Sequence, residues 1–256
     1  MKLTIVGLPI GNVEDISERA LRVLQETNFI VCEDTRMFSN LWSKLTTLGK
    51  VQKKKARLKF VNDFNEHRVL PSLLAEMNLL EEAVLISDAG MPLISDPGYK
   101  LVHEGLGLGW EVTVVPGPTA ESAALAVSGL PTDKYIFLGF LPKKPGKRSE
   151  MLKNVKQMAE IMKFSAVFYE SPIRLEKIIG EMLEVFGDET QICLAIDMTK
   201  VSEKIFRGSM IEILEIVKTR NLKGEATMIL SLVDVLQGQA LQIRDTIRPG
   251  PTATSQ

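Results

Sequence analysis

Asp88 and Asp96 bracket a loop-forming stretch, Ser87-Asp88-Ala89-Gly90-Met91-Pro92-Leu93-Ile94-Ser95-Asp96-Pro97-Gly98, that also holds two glycines and two prolines. Carboxylates at this spacing can accept hydrogen bonds or balance a positive charge. Glycine lets the main chain approach a ligand closely, and proline fixes the course of the loop. The stretch follows an apolar run at 83–86 that reads as a buried strand, and a helical pattern begins at Tyr99. In an open α/β sheet, ligands bind just beyond the carboxyl ends of strands. The sequence therefore predicts a loop that holds a ligand with its main chain, with carboxylates close by.

Two further strand ends have the same makeup. Thr4-Ile5-Val6-Gly7-Leu8-Pro9-Ile10-Gly11-Asn12 is a strand running into a Gly/Pro turn, and Val112-Thr113-Val114-Val115-Pro116-Gly117-Pro118-Thr119-Ala120 is another, followed by a helix of small residues. One such turn is ordinary punctuation. Three at equivalent positions along one sheet predict a shared cleft.

The elements that must position these turns alternate. Strands are expected at 3–7, Phe29–Cys32, weakly at 60–64, at 83–86 and at 112–115. Helices are expected between them: one with an Asp15/Glu18 capping box, one through Phe38, Leu41, Trp42 and Leu45, and others at 70–80, 99–106 and 120–127. Repeated βα units imply a mostly parallel sheet with helices on both faces. Gly129-Leu130-Pro131-Thr132-Asp133 reads as a boundary. Beyond it come strands at 135–140, 166–169, 192–198, 204–208 and 226–233, with helices at 151–162, 175–185 and 211–217, an order that suggests a mixed sheet. The expectation is two α/β domains, 1–130 and 131–235, with a ligand cleft between them, and a disordered polar tail at 236–256.

With 256 residues, 45% hydrophobic and 25% charged, the chain has the composition of a soluble globular protein. Its formal net charge of −1 means that any nucleic-acid contact comes from local patches. Two such patches stand out, 50–59 (Lys50, Lys53, Lys54, Lys55, Arg57, Lys59) and a loop with Lys143, Lys144, Lys147 and Arg148. Lysine runs are by default solvated surface, but a basic loop rimming a cleft holds RNA phosphates. Cys32 and Cys193 read as buried hydrophobes of a reducing compartment, not as a disulfide or metal pair. Neither His67 nor His103 has zinc-site spacing. No apolar run approaches the ~20 residues of a membrane span, and the apolar start runs into Glu14 and Asp15 without a cleavage pattern, so a cytoplasmic protein is expected. A Rossmann dinucleotide site is not, because Gly7-x-x-x-Gly11 with Pro9 inside departs from G-x-G-x-x-G.

Seven motifs stand in order: Gly7-Leu8-Pro9-Ile10-Gly11-Asn12, Glu33-Asp34-Thr35-Arg36, the Ser87 to Gly98 loop, Pro116-Gly117-Pro118-Thr119-Ala120, Gly129-Leu130-Pro131-Thr132-Asp133, Gly139-Phe140-Leu141-Pro142-Lys143 and Phe168-Tyr169-Glu170-Ser171-Pro172. Together they resemble the tetrapyrrole-methylase superfamily, and within it the ribosomal RNA small subunit methyltransferase I branch, which methylates a cytidine ribose 2′-oxygen. The resemblance covers residues 1–235. It implies S-adenosylmethionine as cofactor, two α/β domains with the cofactor folded between them, small-subunit ribosomal RNA or the small subunit as partner, and a homodimer. By motif match, Pro9, Asp88, Ala89, Gly90, Met91, Leu93, Ile94, Ser95, Asp96, Thr119 and Ala120 line the pocket, and Tyr169, Gly224, Glu225 and Ala226 close it from the second domain. Met37 and Ile173 replace the family's usual histidines, Ile196-Asp197 an Arg-Glu pair, and Met91 a threonine; relatives also carry a longer C-terminal helical region.

A pocket for a sulfonium and an ammonium needs carbonyl oxygens and a carboxylate. Asp96 has two compatible readings, ligand or N-cap of the helix starting near Gly98. Methyl transfer is in-line displacement, in which positioning does most of the work, and a base within hydrogen-bond reach of the ribose hydroxyl assists. Glu33, Asp34, Glu66 and Glu170 are candidates for that base; each could equally cap, pair with Arg36 or Arg174, or face water. Arg36 and Arg174 could grip phosphate or hold a carboxylate. Two alternatives remain open: a methyltransferase for a tetrapyrrole precursor, disfavoured by Ala-Gly-Met-Pro in place of Gly-Gly-Asp-Pro, and a non-catalytic cofactor-binding ribosome-assembly factor, motivated by the replaced histidines and the short tail.

Overall fold

Alternating apolar residues decide the first layer. In β1 (Lys2–Val6), β2 (Phe29–Cys32) and β4 (Glu82–Leu85), successive side chains point to opposite faces. Leu3, Ile5, Phe29, Val31, Ala83 and Leu85 pack on Leu73 and Met77 of α3 (Glu66–Met77) and Leu101 of α4 (Tyr99–Gly107). Val6, Ile30, Cys32, Val84 and the following Ile86 pack on Ala20 and Leu24 of α1 (Glu18–Glu26) and Phe38 and Leu45 of α2 (Thr35–Thr47). With β3 (Arg57–Phe60) and β5 (Glu111–Val115), these strands form one all-parallel sheet in the order β3-β2-β4-β1-β5.

That order brings the carboxyl ends of β4, β1 and β5 side by side, so the three Gly/Pro turns leave the sheet from neighbouring strands. The chain leaves β1 toward β2 and β3 on one side, then returns to β4 and β5, which makes this the place where an open α/β sheet binds ligands.

The second sheet runs β11-β9-β8-β10-β7-β6, with strands β6 (Tyr135–Phe140), β7 (Ser165–Glu170), β8 (Gln191–Ile196), β9 (Lys204–Ser209), β10 (Ala226–Ser231) and β11 (Thr246–Ile247). Only the β6–β7 pair is parallel, so the sheet is mixed, as expected. One face packs on α6 (Pro145–Ile161), α7 (Leu175–Phe186) and α8 (Met210–Thr219). The other carries α5 (Ala120–Ser128): Tyr169 bonds Glu121, and Arg207 donates to the Val127 carbonyl.

The structure is a computed structural model that describes residues 1–52, 56–62, 64–233 and the backbone of Thr246–Ile247. It forms two compact units, Met1–Thr119 and Ala120–Gln256. The division falls one helix earlier than the Gly129 motif, because α5 packs on β7, β8 and β10. Of the 236–256 tail, Thr246–Ile247 pairs with β9 and the remainder lies outside the described residues. Among the described residues no helix is long and apolar enough to cross a membrane.

Several local expectations are corrected. The cap of α1 is Ser17, whose Oγ accepts from the Ala20 N–H, while Asp15 ends a preceding 3-10 turn. The weak strand lies at Arg57–Phe60, not 60–64. The next helix starts at Glu66, before the expected 70, because Asn62 Oδ1 accepts from the Phe64 and Asn65 N–H groups and bends the chain into it. The expected loop at 141–148 becomes helical at Pro145, which suits a helix start because its fixed φ and missing N–H cost nothing there.

Candidate functional site

The turns after β1 and β5 meet because both carry glycine. A Cβ on Gly7 would stand 2.7 Å from the Gly117 Cα and N, and one on Gly117 2.8 Å from the Gly7 backbone. The Met91 thioether fills the remaining corner, with the Gly117 N–H donating to Sδ at 3.3 Å. The third turn is stitched to the first: Leu8 N–H donates to the Gly90 carbonyl at 2.8 Å, and Gly90 N–H to the Leu8 carbonyl at 3.1 Å. Pro9, Ala89, Gly90, Met91 and the Pro116-Gly117-Pro118-Thr119 turn therefore stand together, held by main-chain contacts.

Four residues of the 87–98 loop have left-handed backbone: Gly90 (φ 75°), Leu93 (75°), Ser95 (66°) and Gly98 (112°). For Leu93 and Ser95 this conformation is unfavourable, and such strain concentrates at ligand clamps. Ile94 and Ser95 face solvent. The expected Asp96 cap is corrected: Gly98 occupies the N-cap of α4, without a side-chain capping bond. Ser87 Oγ donates to the Ala89 carbonyl.

Asp88 ties the loop to the end of β2. Its Oδ1 accepts from the Asp34 N–H at 3.1 Å. Burial, with the Asp34 carboxylate nearby, pushes the Asp88 carboxyl above its ordinary range. Asp34 caps α2 and holds Arg36 with both carboxylate oxygens; the side-chain bond from Arg36 keeps Asp34 down at about 2. Of the other base candidates, Glu66 is buried with Oε2 3.0 Å from Lys100 Nζ, and Glu170 is buried, accepting from the Ser171 N–H and lying 3.4 Å from Arg174. Glu33 has interactions of its own.

In the second unit, the Tyr169 ring lies edge-on to Phe137 and Phe140, and its hydroxyl donates to Glu121 in the first turn of α5. Tyr169 and Thr227 are paired across β7 and β10, so Ala120, Tyr169 and Ala226 form one neighbourhood. Gly224 precedes it at φ 100°, where a Cβ would strike the Asp197 carboxylate at 2.2 Å. Asp197 accepts from Lys200 Nζ (3.0 Å), Ser202 Oγ (2.8 Å) and the Glu225 N–H (3.3 Å). Burial raises its pKa, yet the bonds from Lys200 and Ser202 bring it below the ordinary range.

The basic residues separate into different roles. Arg148 is corrected from phosphate contact to structural ligand. Its side chain is 2% exposed, and it binds Glu181 and donates to the Pro142 and Lys143 carbonyls. Arg174 donates to the Leu141 and Pro142 carbonyls. Lys143, Lys144 and Lys147 stay exposed around the start of α6. In the first patch, Arg57 and Lys59 pair with Glu76, and 53–55 lie outside the described residues.

Sequence reasoning missed Glu121, the partner of Tyr169, although an acid in the otherwise small and apolar Ala120-Glu121-Ser122-Ala123-Ala124 was a signal. It also missed the Asp197–Lys200–Ser202 network, which joins residues far apart in sequence to Glu225.

The model of the family described as Tetrapyrrole (Corrin/Porphyrin) Methylases matches residues 2–214. A Thermotoga maritima protein named ribosomal RNA small subunit methyltransferase I is 41% identical over 230 residues, 90% of this chain and 98% of its own length. A protein of the same name from Escherichia coli O157:H7 is 36% identical over 95% of this chain and 80% of its own. Among solved structures, the cobalamin biosynthetic enzyme cobalt precorrin-4 methyltransferase matches with a TM-score of 0.62 at 19% identity, covering 90% of this chain and 94% of that one. Uroporphyrin-III C-methyltransferase from Thermus thermophilus, complexed with S-adenosyl homocysteine, matches with 0.60 at 19%, covering 90% and 97%. At that identity the likeness is one of fold.

Proposed function

The chain belongs to the tetrapyrrole (corrin/porphyrin) methylase family, and from that premise we propose that it is an S-adenosylmethionine-dependent methyltransferase acting on a cytidine ribose 2′-hydroxyl of small-subunit ribosomal RNA. The observation that carries the reading is the meeting of three Gly/Pro turns at neighbouring strand ends, where Gly7 and Gly117 leave no room for a Cβ. Two relatives that share most of their length with the chain bear the matching name.

The residues fit this cofactor. A cation held mainly by main-chain atoms needs backbone that can come close, which Gly90 and the strained Leu93–Ser95 segment supply, and a carboxylate nearby, which Asp88 supplies. Pro9, Ala89 to Met91, Leu93 to Asp96 and Thr119 would hold it in the first unit; Ala120, Tyr169 and Gly224 to Ala226 are further cofactor residues that the resemblance implies. When bound, S-adenosylmethionine supplies a methyl on a sulfonium, electrophilic without metal help. The protein's share is to hold the ribose hydroxyl in line, worth several powers of ten in rate, and to accept its proton. Glu33, Asp34 and Glu66 remain the carboxylates we assign to that acceptance, one of them sufficing, while Glu170 is buried and bonded to the Ser171 N–H. Lys143, Lys144, Lys147, Arg36 and Arg174 are proposed for RNA phosphates, with Arg174 restricted by its bonds to the 141–142 backbone. We also carry over the homodimer, which light scattering measures.

The test is transfer of labelled methyl to small-subunit ribosomal RNA, followed by alkaline hydrolysis. A 2′-O-methyl group blocks cleavage, so label in an alkali-resistant dinucleotide that begins with cytidine is expected. No transfer to RNA, or transfer to a tetrapyrrole precursor instead, overturns the reading.

A further inference from the structure

Both histidines of the chain, His67 and His103, lie on one rim of the first unit, where α3 and α4 begin side by side. Lys100 Nζ joins the two helix starts, lying 2.9 Å from His67 Nε2 and 3.0 Å from Glu66 Oε2. Just before α3, Phe64 is 99% exposed; at the first position of α4, Tyr99 is 69% exposed, its ring stacked on His103 at 5.7 Å and 21°. Arg68 is exposed on the same turn of α3. Tyr99 directly follows Gly98, so the rim adjoins the 87–98 loop.

A lone exposed apolar side chain needs no explanation. Two exposed aromatic rings with cations interleaved, beside a ligand loop, do. An apolar protein face would be met by aliphatic side chains, whereas rings alternating with Lys and Arg suit a flat base and its phosphate. Of the nearby acids, Glu66 is buried in its pair with Lys100, Glu104 is exposed at the α4 start and Asp63 precedes Phe64 in the sequence, so the rings, and not a net positive charge, carry the recognition. We propose that this rim is a stacking platform for unpaired nucleotides of the RNA substrate, with Phe64 and Tyr99 as the faces on which bases stack and Arg68 as the phosphate contact. The proposal rests on reading the chain as an RNA methyltransferase and names a surface separate from the Lys143–Lys147 patch. Stacking at this position holds a strand beside the methyl donor without reading its sequence.

The experiment is binding of a small-subunit ribosomal RNA transcript to the full chain by fluorescence anisotropy, with light scattering and S-adenosylmethionine calorimetry on the same samples. Phe64→Ala and Tyr99→Ala are each expected to weaken RNA binding roughly 5- to 150-fold, the loss of one stacked base. Phe64→Tyr and Tyr99→Phe should restore it, and cofactor affinity should stay unchanged. If the alanine variants bind RNA as the wild type does, the platform is wrong although the wild type still methylates RNA. If they instead change the oligomeric state and leave RNA affinity alone, the rim is an interface between copies and the proposal fails. If the wild type does not bind RNA at all, the functional reading fails with it.

Discussion

A charged side chain is a different object when it is buried. Arg148 and Lys147 are adjacent in the α6 start, yet Arg148 serves Glu181 and two carbonyls while Lys147 faces water. Arg148→Ala should lower stability by about 3 kcal/mol, the lower end for breaking a buried pair because Glu181 is partly exposed; chemical denaturation measures it. Lys143→Ala with Lys144→Ala and Lys147→Ala should instead leave stability unchanged and flatten the salt dependence of RNA binding. The base candidates separate in the same way. The amide variant of the true proton acceptor should lose about 10²- to 10⁴-fold in turnover with cofactor affinity intact, whereas Glu170→Gln should act on the melting temperature, because its carboxylate is buried and bonded to the Ser171 N–H. Burial also pushes the Cys32 and Cys193 thiols up to about 12 from 9.0, with Asp88 and Asp34 adding to the effect at Cys32. A raised folded-state pKa gives stability that is complete below about 9 and lost as pH rises toward 12. Between about pH 5 and 9 the thiols should therefore leave denaturation midpoints constant, with a fall above about pH 9, and native thiols should resist iodoacetamide at neutral pH.

At the level of elements, the site depends on turns that approach within the radius of a missing Cβ. Gly117→Ala should cost about 1–3 kcal/mol by overpacking the Gly7 backbone and should weaken cofactor binding more than it lowers the melting temperature, as calorimetry and thermal denaturation together resolve. The three turns were legible in sequence, because Gly and Pro must punctuate strand ends and the apolar runs before them had strand length. Their adjacency was legible only as an expectation, since strand order depends on which strand the chain returns beside, and that is not a local property. The Gly7–Gly117 contact and the Met91 sulfur between them were not legible, because 110 residues separate the glycines. The Asp96 cap failed for a physical reason: the loop ends on a left-handed backbone at Gly98, and that residue takes the cap position from the aspartate. Likewise Arg148 read as part of a basic run because its partner Glu181 lies a helix away in sequence.

For the whole molecule, a net charge of −1 with RNA as the proposed substrate requires that contacts be local and salt-sensitive. The exposed lysines at the α6 start and the aromatic rim of α3 and α4 are the two places proposed for them, the first for phosphate and the second for bases. The family's fold supplies the rest, a parallel sheet whose strand order gathers three glycine-bearing turns into one region. The central claim is that this region holds S-adenosylmethionine by its main chain. The most direct measurement is a crystal structure of the protein grown with S-adenosyl homocysteine. The ligand is expected against the backbone of Ala89, Gly90 and Met91, beside the Pro9 and Thr119 turns. Density for the ligand away from those three strand ends would contradict it.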